Sequence, residues 1–109
     1  MNEREMLELA AKAAGYEVLA YDATTDELTC RSVERGTFIW APRKDDGDAL
    51  RLAVKLLLQV TVTRDGIHAE GIETDGILPY AYEADGDDPY AATRLAITRA
   101  AAEIGRAMK

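Results

Sequence analysis

The chain has one cysteine, one histidine and no apolar run approaching the roughly 20 residues that a bilayer-spanning helix requires. A lone Cys30 cannot form an internal disulfide, and one His with one Cys cannot build a structural zinc site. No Ser or Cys stands in a nucleophile setting, and no glycine cluster precedes a Lys-Ser or Lys-Thr pair in the manner of a phosphate loop. Basic charge is missing from one long stretch. From Asp65 to Asp88 the chain carries Glu70, Glu73, Asp75, Glu83, Asp85 and Asp87 without one Lys or Arg. Such a segment repels phosphate, so no direct nucleic-acid binding is expected, and no membrane association. The opening Met1-Asn2-Glu3-Arg4-Glu5 is charged and has no signal-peptide apolar region. With the unpaired thiol, this leads to the expectation of a cytoplasmic protein.

What is present suits a single domain over residues 1–109. Apolar residues make up 48% of the chain and charged residues 30%, the balance of a folded globular protein with net charge −7. Asn2 is placed to cap a helix from Glu3 to Ala14, where Met6, Leu9, Ala10 and Ala13 form an apolar stripe and Gly15 ends it. Asp45, Asp46 and Asp48 crowd a second helix start, and Ala49 to Leu58 follows with leucines on more than one face. Only Arg51 and Lys55 there clearly face water, so this helix is expected to be deeply buried. Asp88 then Pro89 start a third helix of about 20 residues, ending near Met108. Its Tyr90, Leu95, Ile97, Ile104 and Met108 supply packing mass, with Arg94, Arg99, Glu103 and Arg106 on the wet side. A short echo between Arg51-Leu52-Ala53-Val54 and Arg94-Leu95-Ala96-Ile97 is too brief to indicate duplication.

Strand patterns fill the intervals. Tyr16 to Tyr21, Leu28 to Val33 and Thr37 to Trp40 are joined by connections too short for a crossover helix, which suggests an antiparallel meander. Gln59 to Arg64 and Ile67 to Ile72 flank Asp65-Gly66, a two-residue hairpin signal. Ile77 to Tyr82 is weakened by Pro79 and belongs at an edge. The fold class is therefore α+β: a single antiparallel or mixed β-sheet sandwiched between helices, with three helices and four to six strands.

Trp40 and Pro42, the run Asp46-Gly47-Asp48-Ala49-Leu50-Arg51-Leu52-Ala53-Val54-Lys55-Leu56, and the strings Asp88-Pro89-Tyr90-Ala91-Ala92-Thr93-Arg94 and Ala100-Ala101-Ala102-Glu103-Ile104-Gly105-Arg106-Ala107-Met108 form a set. Together they resemble the phage ABA sandwich domain family of small bacteriophage and prophage proteins. The resemblance rests mainly on Trp40 to Leu56 and Asp88 to Met108. It implies a sheet between helical layers, a phage or prophage origin, and a bacterial host cytoplasm. No activity is assigned to that family, so no functional residue carries over.

Chemistry is sparse. Cys30 lies beside Arg31, but neighbouring strand residues point to opposite faces, which favours a buried thiol over a reactive one. Glu83, Asp85 and Asp87 around Gly86 fail as a calcium loop, because Ala81 and Ala92 fall where the first and last carboxylates belong. Gly47 fails likewise, with Pro42 and Lys44 at ligand positions. No catalytic, cofactor-binding or metal-binding set is assigned, and the chain is read as leaning away from enzyme activity. Trp40 either plugs one end of the core or, with nearby loop tyrosines such as Tyr80, Tyr82 and Tyr90, borders a partner surface. Binding to a host or phage protein through Trp40, Asp75, Tyr80, Tyr82, Glu83 and Asp85 is the favoured function. The alternative is a small-ligand or nucleotide-binding protein using Arg43, Lys44 and His68.

Overall fold

Asn2 starts the first helix as expected: its Oδ1 accepts a hydrogen bond from the Glu5 amide at 2.7 Å. In the computed structural model, which describes residues 1–108, helix α1 spans Glu3–Ala14. Gly15 stops it in the left-handed region (φ 81°), and the Gly15 and Tyr16 amides donate back to the Lys12 and Ala11 carbonyls at 3.1 and 2.9 Å. Strands β1 (Glu17–Asp22), β2 (Glu27–Ser32) and β3 (Gly36–Trp40) then form an antiparallel meander in the order β1-β2-β3. The register slips by one residue between Val18 and Ala20. Alternation turns Leu28, Cys30 and Trp40 inward and leaves Leu19 and Ile39 exposed.

Asp45 caps helix α2 (Asp46–Lys55), its Oδ2 accepting from the Asp48 amide at 2.8 Å. A second meander follows, with β4 (Gln59–Val62), β5 (Gly66–Glu70) and β6 (Tyr80–Ala84) in that order. Asp88 accepts from the Tyr90 and Ala91 amides, and Pro89 opens the 19-residue helix α3 (Pro89–Ala107). The class, the three helices and the six antiparallel strands agree with the α+β reading. The strands divide between two sheets, however, because α2 carries the chain away from β3 before β4 begins. Strand β6 also starts after Pro79 rather than before it, since proline cannot donate to the ladder.

The helices line the inner face of each sheet, and α3 belongs to both cores. Ile97 and Ala101 join Leu7, Ala10, Leu28, Trp40 and Leu52 in the first. Ala96 and Ala100, one position earlier each, join Ile67, Ala69 and Ala81 in the second. Alanine at four of the enclosed positions, Ala96, Ala100, Ala101 and Ala102, lets its neighbours approach closely. The tightest approach is at Gly105, where a β-carbon would lie 1.9 Å from the Leu9 carbonyl oxygen of α1.

Three helix-level expectations need correction. Helix α2 ends at Lys55 and is buried on one side only, through Ala49, Leu52 and Ala53, because its ten residues meet α3 and the Trp40 core along a single stripe. Arg94 is not on a wet side: its guanidinium donates to the Arg43 carbonyl at 2.9 Å and pairs with Asp46 at 2.7 Å, tying α3 to the approach of α2. Tyr90 and Met108, at the two ends of α3, are exposed rather than packed in either core.

Alanine normally favours a helix over glycine by about 1 kcal/mol, but Gly105→Ala is expected to destabilise the protein by about 3 kcal/mol through forced separation of α1 and α3. Urea denaturation decides the sign. Burial pushes the Cys30 thiol up to about 11 from its ordinary 9.0. The folded state therefore holds the proton more tightly than the unfolded chain, so stability is level below pH 9 and falls as pH rises toward 11. At pH 8 a thiol-specific reagent should label Cys30 no faster than the protein unfolds, and prompt labelling of the folded protein would contradict this burial.

Candidate interaction surface

Helix α2 has apolar side chains on the face it does not bury. Leu50 is 63% exposed and Val54 65%, four residues apart on one ridge. Leu57, just past the helix end, is 68% exposed. Leu56 caps the helix, and Leu57 adopts a left-handed backbone with φ 57°. The Leu57 and Leu58 amides donate to the Val54 and Ala53 carbonyls at 3.2 and 2.9 Å. This is the closure made at Gly15, with leucine in the position that glycine fills there. A left-handed leucine costs about 1–2 kcal/mol relative to glycine.

At this end of α2 lies a cleft of about 430 Å³ lined by Leu57, Ile72, Ile77, Ile104 and Met108, with the charged Lys55 and Asp75 also in its walls. One wall is a short arm between β5 and β6. The Gly71 amide donates to the Pro79 carbonyl at 2.8 Å, and Thr74 and Ile77 exchange two backbone hydrogen bonds of 2.9 Å. Asp75 (φ 53°) and Gly76 (φ 78°) form the turn between them, both left-handed as a type I′ hairpin demands. Ile72, Ile77 and Leu78 on this arm are exposed. Of the cations nearby, Lys55 sets its ammonium 4.9 Å from the centre of the Tyr16 ring, and Lys12 donates to the Met108 carbonyl at 2.9 Å. Among the described residues neither Glu73 nor Asp75 makes an ion pair.

The six residues first assigned to a partner surface do not converge. Trp40 is 1% exposed, packed edge-on against Tyr16 at 5.4 Å, and takes the core-plug role. Tyr80 and Tyr82 lie on the outer face of the second sheet, flanking His68; the Tyr80 hydroxyl is 2.6 Å from His68 Nδ1. Glu83 is directed toward α3, where it pairs with Arg99 at 2.7 Å. Asp85 is partly buried and its amide reaches the Asp65 carbonyl at 3.3 Å. Asp75 alone reaches the cleft. The cationic alternative is dispersed too: Arg43 is held by Asp26 at 3.2 Å and Glu3 at 3.4 Å, Lys44 donates to the Thr25 carbonyl, and His68 stands on the other sheet.

The hairpin signal at Asp65-Gly66 is also misplaced by one residue. The Thr63 amide donates to the Gly66 carbonyl at 2.9 Å, so Arg64 and Asp65 form the tip. Gly66 is not left-handed; a β-carbon there would stand 2.7 Å from the Glu83 backbone carbonyl and 2.5 Å from the Tyr82 hydroxyl, which leaves room only for glycine. The two-residue Asp-Gly turn occurs instead at Asp75-Gly76. Sequence reading missed Leu50, Val54 and Leu57 as an exposed set, although the excess of leucine around α2 was their signal.

Because Leu57 buries little and strains the backbone, Leu57→Gly is expected to raise stability by about 1 kcal/mol, whereas Leu57→Val, branched at Cβ, lowers it. Denaturant midpoints of the two variants measure both effects.

Comparison with protein-family models, curated proteins and solved structures found no match to this chain.

Proposed function

We propose that this protein acts by binding another protein through the outer ridge of α2 and the adjoining cleft. On the resemblance of its helix-start strings, we further propose that it is a phage or prophage accessory protein of the host cytoplasm. The observation that carries the binding role is the apolar surface at α2: Leu50 and Val54 stand exposed four residues apart on the helix, and the exposed Leu57 lines an apolar cleft at its end. Contiguous apolar surface of this kind characterises interaction sites, whereas scattered exposed leucines do not. The strained Leu57 supports the same reading, since backbone strain persists where a side chain is needed in one place.

A second reading is favoured by the cleft's volume, which lies within the range of small-molecule sites. An apolar ligand suits its lining. Nucleotide binding lacks support, because Arg43 and Lys44 are already engaged and lie with the β1–β2 turn.

Pull-down from bacterial lysate with quantitative mass spectrometry separates the readings. A partner held by the wild type should be lost with Val54→Asp and with Ile77→Asp, both at exposed positions where melting temperature is expected to hold. Retention of that partner by both variants would overturn the proposed surface. Loss with Tyr80→Ser and Tyr82→Ser instead would move the surface to the second sheet.

A further inference from the structure

The sequence contains four Asp-Gly pairs, Asp46-Gly47, Asp65-Gly66, Asp75-Gly76 and Asp85-Gly86, and the structure places them in four different settings. We propose that Asp75 is a site of spontaneous isomerisation to isoaspartate, and that the fold protects the other three aspartates from the same reaction.

The chemistry is local to the dipeptide. The amide nitrogen of the following residue attacks the aspartate Cγ, the N–Cγ bond forms, and the Cγ–O bond breaks. The carboxyl hydroxyl leaves with the amide proton as water. A second water then opens the five-membered imide at either carbonyl, restoring aspartate or leaving the main chain routed through Cβ and Cγ. One water leaves and one returns, so the reaction needs no other reactant. Glycine in the following position puts no side chain in the way of the attack. What the fold controls is whether the carboxyl is engaged, whether the amide is taken by an acceptor, and whether the backbone can turn one onto the other.

Asp75-Gly76 is open on each count. Asp75 is exposed, and its carboxylate has no hydrogen-bond or ion-pair partner among the described residues. A β-carbon at Gly76 would meet nothing within 4 Å. The turn is closed by Thr74 and Ile77 groups, and the Gly76 amide donates to no acceptor among the described residues. Left-handed Asp75 (φ 53°) must leave its turn conformation before its carboxyl can reach the Gly76 nitrogen. That departure is easy here. The tip hangs on one isolated bridge and, further down, the bond from the Gly71 amide to the Pro79 carbonyl, so few contacts are lost when it opens.

Elsewhere the same dipeptide is held. Asp46 pairs with Arg94 at 2.7 Å, and Gly47 is fixed in the first turn of α2. Gly66 is buried and its amide donates to the Thr63 hydroxyl at 3.1 Å. The Asp65 carbonyl accepts from the Tyr82 hydroxyl at 3.1 Å and from the Asp85 amide at 3.3 Å. Asp85 is thereby tied through its backbone, and its Oδ1 is enclosed by the protein. Isomerisation at Asp75 has a structural consequence. Isoaspartate adds one atom to the main chain, one too many for a two-residue turn closed by two hydrogen bonds of 2.9 Å. The Thr74–Ile77 pairing is lost, and Ile77 is displaced from the wall of the cleft.

Ageing the full chain at neutral pH, followed by peptide mapping with electron-transfer fragmentation, tests this. Isoaspartate is expected to form at Asp75 at least roughly tenfold faster than at Asp46, Asp65 or Asp85. In concentrated urea the four rates should draw together, because only the dipeptide chemistry remains. Asp75→Glu, which keeps the charge but would need a six-membered ring, should remove most of the isoaspartate formed by the folded protein. Equal rates in the folded chain, or a faster reaction at any of the other three positions, would overturn the proposal. So would an Asp75 that stays intact in the folded protein while reacting in urea. Selectivity that persists unchanged in urea would overturn the protective role of the fold.

Discussion

Helix α3 has to fit between two cores, and most of the architecture follows from how it does so. Ala96 and Ala100 face the second sheet, while Ile97 and Ala101 face α1, α2 and the first. Alanine lets neighbouring backbones approach on both sides without breaking the helix. At Gly105 even a methyl group is too large, since α1 passes with the Leu9 carbonyl almost in contact. The polar links respect the same geometry. Arg94 binds the segment leading into α2, Arg99 binds β6, and the Thr98 hydroxyl is returned to the Arg94 carbonyl at 2.8 Å so that it needs no partner in the core.

The surface of α2 is the counterpart of this arrangement. A helix docked along one stripe leaves the rest of its circumference to solvent, and here that remainder is leucine and valine rather than charge. The left-handed Leu57 is exposed just past the helix end, and the arm from Gly71 to Pro79 raises Ile72 and Ile77 opposite it. Backbone conformations that cost energy thus occur beside exposed apolar side chains, at a place where the fold itself gains little from either.

Much of the fold was legible because its signals are local. Asn2, Asp45, Asp88 and Gly15 act on backbone groups within a few residues and occupy the cap positions their chemistry favours, and Pro89 takes the first helical position. The meanders were legible for a similar reason, since short connections leave antiparallel neighbours as the simplest pairing. The division into two sheets was not, because it depends on where α2 docks and not on any strand's own pattern. Asp65-Gly66 and Asp75-Gly76 are alike as dipeptides; the close approach of β6 at Tyr82 and Glu83 determines the first glycine and backbone handedness the second. The candidate surface was hardest to see. Periodicity marks Leu50 and Val54 as apolar, but a sequence does not distinguish apolar side chains facing a core from those facing water. Trp40 shows the converse, an aromatic residue next to a loop that lies wholly inside.

The order of elements has a consequence for how the chain matures. Each sheet is assembled from one contiguous stretch, so its hairpins can close as they leave the ribosome. Helix α3 follows both sheets in the chain, yet it supplies a wall to each core. The first meander has α1 and α2 to cover its inner face before α3 is translated, whereas the second, with Ile67, Ala69 and Ala81 facing Ala96 and Ala100, waits for α3.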